Sequence, residues 1–149
     1  MILLKIIFVA FIVFNAVPSL AAEWVHLDNI GWYFDKSNIK LDRKTGDYLV
    51  WQKYSMRDSA VSKFQVMYLY GKLNIDYSNY SHSILLRGVN CKYETLSIIS
   101  VALYDKNNEV FFSYVNNEDT IRDNLLFVTP GSVGESFSKA VCKFVANQN

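Results

Sequence analysis

The chain is 149 residues long and carries 15 basic against 14 acidic side chains, a net charge of +1. That balance gives no general attraction for nucleic acid or anionic lipid and excludes both as electrostatically driven partners. Ten tyrosines, ten phenylalanines and three tryptophans favour a fold rich in strands.

The first 21 residues decide the compartment. Lys5 precedes an apolar run from Ile6 to Val17 that only Asn15 interrupts, and Pro18 breaks it. Ser19 and Ala21 are small residues three and one before a cut after Ala21, the layout of a secretory signal peptide. From Ile6 to Ala22 there are 17 residues, short of the ~20 that cross a bilayer, so no mature transmembrane segment is expected. No cysteine stands near the cut, so no lipid anchor is expected either. Residues 22–149 then form a single domain with 14 charges of each sign, Lys5 having been removed.

Strand signals dominate the mature chain up to Asn116. Ile30–Asp35 is short and aromatic. Ile39–Leu41 and Tyr48–Met56 read as a hairpin around the charged turn Asp42–Asp47. In its second arm Leu49, Trp51 and Lys53 share one side, and Tyr48, Val50, Gln52 and Tyr54 the other. Neither side is cleanly polar, as in a strand partly covered on both faces or one beside a groove. The interval from Arg57 to Ser83 is less regular. Phe64–Tyr70 can form a strand, while Gly71–Ser83 reads as a connection.

The strongest hairpin follows, Leu96–Tyr104 and Val110–Val115 around the turn Asp105–Glu109. Leu96, Ile98, Ile99, Val101 and Leu103 are expected to point to both faces, which makes this strand central. Beyond Pro130-Gly131 the period changes. Ser132 and Glu135 fit a capping box, and Val133, Phe137, Val141, Phe144 and Val145 recur at helical spacing. The whole reads as α+β, an antiparallel β-sheet packed against a C-terminal α-helix.

An exported chain meets oxidising conditions, so Cys91 and Cys142, its only cysteines, are read as one disulfide. Closing that loop of 52 residues stabilises the fold by about 4 kcal/mol on the chain-entropy account. No Cys-x-x-Cys is present, and His26 and His82 have no ligand-like spacing to either cysteine, so neither redox chemistry nor a metal is expected. His26 with Asp28 could form an imidazole–carboxylate pair, but no nucleophile stands beside it. His82, with Ser81 and Ser83, is the one arrangement from which a small hydrolase could be built, yet it lacks a nucleophile turn and reads as solvated loop. Asp42 and Asp47 flank a turn, and Glu118, Asp119 and Asp123 form a small acidic patch without calcium-loop spacing. No catalytic residue and no cofactor are expected. Tyr68, Tyr70, Tyr77 and Tyr80 fall where regular burial is weakest and are the expected protein-contact residues.

The segments "WYFDKSNI", "GDYLVWQKY", "VNCKYETLSIISVALYD" and "TPGSVGESFSKAVC", in that order and with both cysteines in place, resemble the surface-adhesin protein E family of small exported bacterial proteins. The resemblance spans Trp24 to Lys143. It implies an antiparallel sheet with a C-terminal helix tied back by a disulfide, and a non-enzymatic binder of host extracellular or envelope proteins. The alternative is a periplasmic structural or interaction factor without adhesin activity.

Overall fold

A computed structural model describes residues 21–27, 31–55 and 78–148. The expected signal segment falls outside them, apart from Ala21, as do Ile30, Met56 and the Phe64–Tyr70 strand. Eight strands form: β1 (Trp24–His26), β2 (Trp32–Asp35), β3 (Lys40–Leu41), β4 (Tyr48–Ser55), β5 (Tyr80–Asn90), β6 (Thr95–Asp105), β7 (Val110–Val115) and β8 (Leu126–Phe127). A 3₁₀ turn spans Lys36–Asn38, and two helices follow β7: α1 (Glu118–Asp123) and α2 (Val133–Ala146). The strands make one antiparallel sheet in the order β1-β2-β4-β5-β6-β7, with β3 beside β4 and β8 beside β6. The fold is α+β, as the sequence predicts.

Both predicted hairpins form. At the first, Asp42 N–H donates to the Asp47 carbonyl at 2.8 Å, and Gly46 takes φ +78°, a left-handed conformation that glycine adopts without a Cβ penalty. At the second, Asp105 Oδ1 accepts from the backbone N–H groups of Asn107 (2.8 Å) and Glu109 (2.9 Å), so a side chain closes the turn. Gly31 has no room for a side chain at all. A Cβ there would lie 2.1 Å from the Ser55 carbonyl oxygen, where β2 enters the sheet beside the end of β4.

β6 differs from expectation in an instructive way. Leu86 lies opposite Ser100 and Arg87 opposite Ile98, so Ile99 is an extra residue, a β-bulge. The bulge resets the alternation, and Leu96, Ile98, Val101 and Leu103 therefore share one face instead of dividing between two. That face also takes Phe34 from β2, Val50 and Gln52 from β4, and Leu85 and Val89 from β5. The strand is central, as predicted, with β5 on one side and β7 and β8 on the other.

Helix α2 covers one end of this face. Its predicted stripe holds: Phe137 and Val141 pack with Phe34, Val50, Val89 and Leu96 in one buried cluster, and Phe144 meets Phe34 edge-on at 6.0 Å between ring centres. Ser132 caps the helix by accepting the Glu135 N–H at 3.1 Å. Glu135 reaches back to the Gly131 N–H at 2.7 Å, one residue before the cap, because Ser132 N–H is already given to the Thr129 carbonyl. Its carboxyl is held below the usual range by the Lys139 ammonium and by that Gly131 N–H. Cys91 and Cys142 are bonded, with their Cα atoms 5.7 Å apart, and fix the last turns of α2 to the end of β5. A second cluster of Tyr80, Leu85, Val101 and Leu103 fills the far end of the same face. Between the two clusters Arg87 Nε donates to Gln52 Oε1 at 2.5 Å, and its guanidinium stands 6.0 Å from the Phe137 ring centre.

Asp35 ties down the first strands. It is 2% exposed, and its oxygens accept from Glu23 N, Ser37 N and Ser37 Oγ (3.0, 3.0 and 2.6 Å) and from Asn38 Nδ2 (2.7 Å). Burial pushes its pKa up, but these hydrogen bonds outweigh burial and hold the carboxyl below its ordinary 3.8.

Two outcomes follow from this core. Replacing Cys91 and Cys142 together by serine should cost about 2–5 kcal/mol by urea denaturation, with hydrogen exchange in α2 rising before exchange in β5 and β6. Because the folded pKa of Asp35 is depressed, its contribution is complete above the unfolded value and disappears as pH falls through the folded one. Asp35→Asn should therefore destabilise the fold by roughly 1–3 kcal/mol at neutral pH. The gap to the parent chain should narrow below pH ~3.8 in the same urea assay.

Candidate functional site

On the face opposite α2, the end near Asn90, Thr95 and Ser97 is buried, while the part around Trp51 is partly exposed. Strand register builds it row by row: Trp51, Leu86, Ser100 and Val115 lie side by side across β4, β5, β6 and β7. The neighbouring row runs Tyr33, Lys53, Ile84, Ala102 and Ser113. This placement is forced by alternation, since Val50 and Gln52 point into the core and Trp51 between them must point out. Trp51 is 37% exposed and Val115 76% exposed. Beside Trp51, the residues Asn38, Lys40, Leu49 and Leu86 complete the lining of a shallow depression of about 210 Å³. Of the two readings of the Tyr48–Met56 strand, covered on both faces or beside a groove, this depression fits the second, on the Leu49 and Trp51 side. Lys53 reaches along the face to Trp24, its ammonium 5.9 Å from the ring centre.

Among the described residues none of the predicted contact tyrosines lies on this surface. Tyr68, Tyr70 and Tyr77 lie outside the described residues. Tyr80 is buried in the second core cluster, where its hydroxyl donates to Ser83 Oγ at 3.2 Å. Burial pushes its phenol up to about 12. Tyr80 is a core residue rather than the surface residue expected, because β5 begins at Tyr80, inside the stretch read as a connection.

His82 is likewise in a strand and not in a solvated loop. It is 9% exposed, and its ring lies flat on Tyr104, 4.6 Å between centres with 5° between planes. Burial, and then the Lys53 charge, push its pKa below the usual 6.5. Ser81 Oγ comes within 3.3 Å of Nδ1, the only part of the Ser–His idea that the geometry provides. Ser83 engages Tyr80 instead, and among the described residues no carboxylate bonds the imidazole to orient it. His26 is exposed on β1 and packs against Tyr33 at 4.7 Å; its expected mate, Asp28, lies outside the described residues.

The acidic residues serve turns and exposed ion pairs. Asp47 Oδ1 accepts from Asn90 Nδ2 at 2.7 Å, and Asp42 Oδ1 accepts from Lys44 N at 2.9 Å. Glu118 pairs with Lys44 at 2.9 Å and Asp119 with Arg122 at 2.8 Å, all with well-exposed side chains. Among the described residues no three His, Cys, Asp or Glu side chains gather as a metal site, and no helix is long and apolar enough to cross a membrane.

What this face can do is bind through contact. A half-exposed indole, aliphatic neighbours and two flanking lysines make an amphipathic surface of the sort that anchors protein interfaces. Its signal in the sequence is the Leu49/Trp51 side of β4, too apolar for a solvated face.

The family comparison agrees with this architecture. A family model described as Surface-adhesin protein E matches residues 24–143, from the first residue of β1 into the last turns of α2, with both bonded cysteines inside the match. No curated protein and no solved structure matches the chain. With its eight strands and the disulfide that ties α2 to them all within the matched span, the chain belongs to the surface-adhesin protein E family.

Proposed function

We propose that residues 22–149 act, after export and removal of residues 1–21, as a non-enzymatic binding domain for host extracellular proteins. The observation that supports this most directly is the partly exposed sheet face around Trp51, an apolar and lysine-flanked surface on the side away from α2. Membership of a family described as surface adhesins gives that surface its expected kind of partner. Trp51 would be the anchor, with Leu49 and Leu86 as its aliphatic surround and Lys40 and Lys53 steering acidic segments to the face. The tyrosine-rich segment containing Tyr68, Tyr70 and Tyr77 enters β5 at Tyr80 and is proposed as a second contact region.

The test is saturable binding of the folded, disulfide-bonded protein to a panel of purified extracellular-matrix and serum proteins. Trp51→Ala should weaken the positive interaction at least about tenfold with little change in melting temperature, because the side chain is already part-exposed. A combined Tyr68, Tyr70 and Tyr77→Ser variant separates the two regions. If it alone abolishes binding, the contact lies in that segment and not on the open face. Absence of saturable binding across the panel, with binding to bacterial envelope proteins instead, would establish the periplasmic alternative.

A further inference from the structure

The depression beside Trp51 lies in the interior of the sheet. β4 is paired by β2 and β3 on one side and by β5 on the other, and β5 in turn by β4 and β6. No strand edge opens there, so a peptide has no backbone to pair with and recognition falls to side chains alone. At about 210 Å³ the space is smaller than the ~300–1,000 Å³ of sites that enclose a drug-sized ligand. It has room for one ring and not for a length of chain.

Each group around it offers a different contact. Leu49, Leu86 and the part-exposed Trp51 supply an apolar floor. The quadrupole of an indole leaves its faces negative, which suits the weakly positive hydrogens of C–H bonds. Asn38 is held so that it can only accept. Its Nδ2 donates to Asp35 Oδ2 at 2.7 Å and to Ser37 Oγ at 3.1 Å, and among the described residues no donor meets its Oδ1. Lys40 stands exposed on β3 directly beside Leu49, and among the described residues no carboxylate pairs with its ammonium. Asp35, which orients Asn38, is itself buried and its charge is offset where it stands by the hydrogen bonds it accepts.

We propose that this depression is a sugar subsite that takes one carboxylated pyranose, a sialic or uronic acid residue of a glycan carried by an extracellular protein. Such a ring has a face of C–H bonds for Trp51, hydroxyls that donate to Asn38 Oδ1, and a carboxylate for the Lys40 ammonium. No single amino-acid side chain combines the three: an acidic one lacks the apolar face, and an aromatic one lacks the charge. A neutral sugar leaves Lys40 unpaired. The inference rests on the binding role proposed for this face and names the chemistry that the face meets on its partner.

Proton–nitrogen correlation spectra of the disulfide-bonded exported protein test it, with sialyllactose, a hyaluronan tetrasaccharide and neutral lactose as probes. The Trp51 indole N–H signal, identified by its loss in Trp51→Ala, should shift saturably with one of the acidic sugars at a Kd of ~0.1–10 mM. Which of the two responds tells sialic from uronic acid. Lactose should bind about tenfold more weakly, and Lys40→Gln should bring the acidic sugar down to the level of lactose. Trp51→Ala should remove the shifts of the surrounding amides. Lys139→Gln, on α2 and therefore on the other side of the sheet, should change nothing. No shift with either acidic sugar up to ~20 mM, lactose bound as well as the acidic sugar, or affinity unchanged in Trp51→Ala or Lys40→Gln would overturn the subsite. A protein partner whose Trp51-dependent binding survives enzymatic removal of its glycans would overturn the subsite and leave the binding face standing.

Discussion

One covalent bond fixes the helix to the apolar side of this sheet. Cys91 follows the end of β5 and Cys142 lies near the end of α2, so their disulfide holds the helix over Phe34, Val50, Val89 and Leu96. With only Phe137, Val141 and Val145 fully buried among the apolar residues of α2, helix docking by burial alone is modest. The bond keeps the helix at high effective concentration over its own face. The row Trp51, Leu86, Ser100 and Val115 stands on the opposite face, away from that cluster.

Much of the fold was legible because its signals are local and strong. The two hairpins announce themselves by their turn residues, Asp42 to Gly46 and Asp105 to Asn108, and by β-branched and aromatic arms. Helix α2 was visible in the spacing of Phe137, Val141 and Val145 and in the Ser132 cap. Less visible were elements whose form depends on distant partners. β5 starts within a Ser- and Asn-rich stretch, and its first residues become strand because β6 presents Tyr104 and Asp105 to pair with them. α1 and β8 are too short to show a period, at six and two residues.

The site was half legible for the same reason. Trp51 could be placed on the side of β4 away from Val50 and Gln52 by alternation alone. That its row continues through Leu86 and Ser100 to Val115 depends on register across three strand pairs, which no local pattern encodes. Tyr80 illustrates the converse error. Its neighbours in sequence are polar, and it is buried with Leu85, Val101 and Leu103 on the assembled sheet. Tyrosine content marks contact capacity, while topology decides whether the contact is internal or external.

The bulge at Ile99 has an evolutionary side. Because alternation restarts there, β6 is two short strands in tandem, each with its own inward set: Leu96 and Ile98 before the bulge, Val101 and Leu103 after it. The residue at position 99 is the one the ladder does not count, and without it Ile98 and Ser100 would follow each other opposite Arg87 and Leu86 in unbroken alternation. Drawing Ile99 into the ladder with the chain length unchanged would turn Val101 and Leu103 out to solvent and bring Ser100 and Ala102 inward, a parity error that no single substitution corrects. Divergence of this strand can therefore include deletion of residue 99, which keeps Leu96, Ile98, Val101 and Leu103 on one face and removes only the extra local twist.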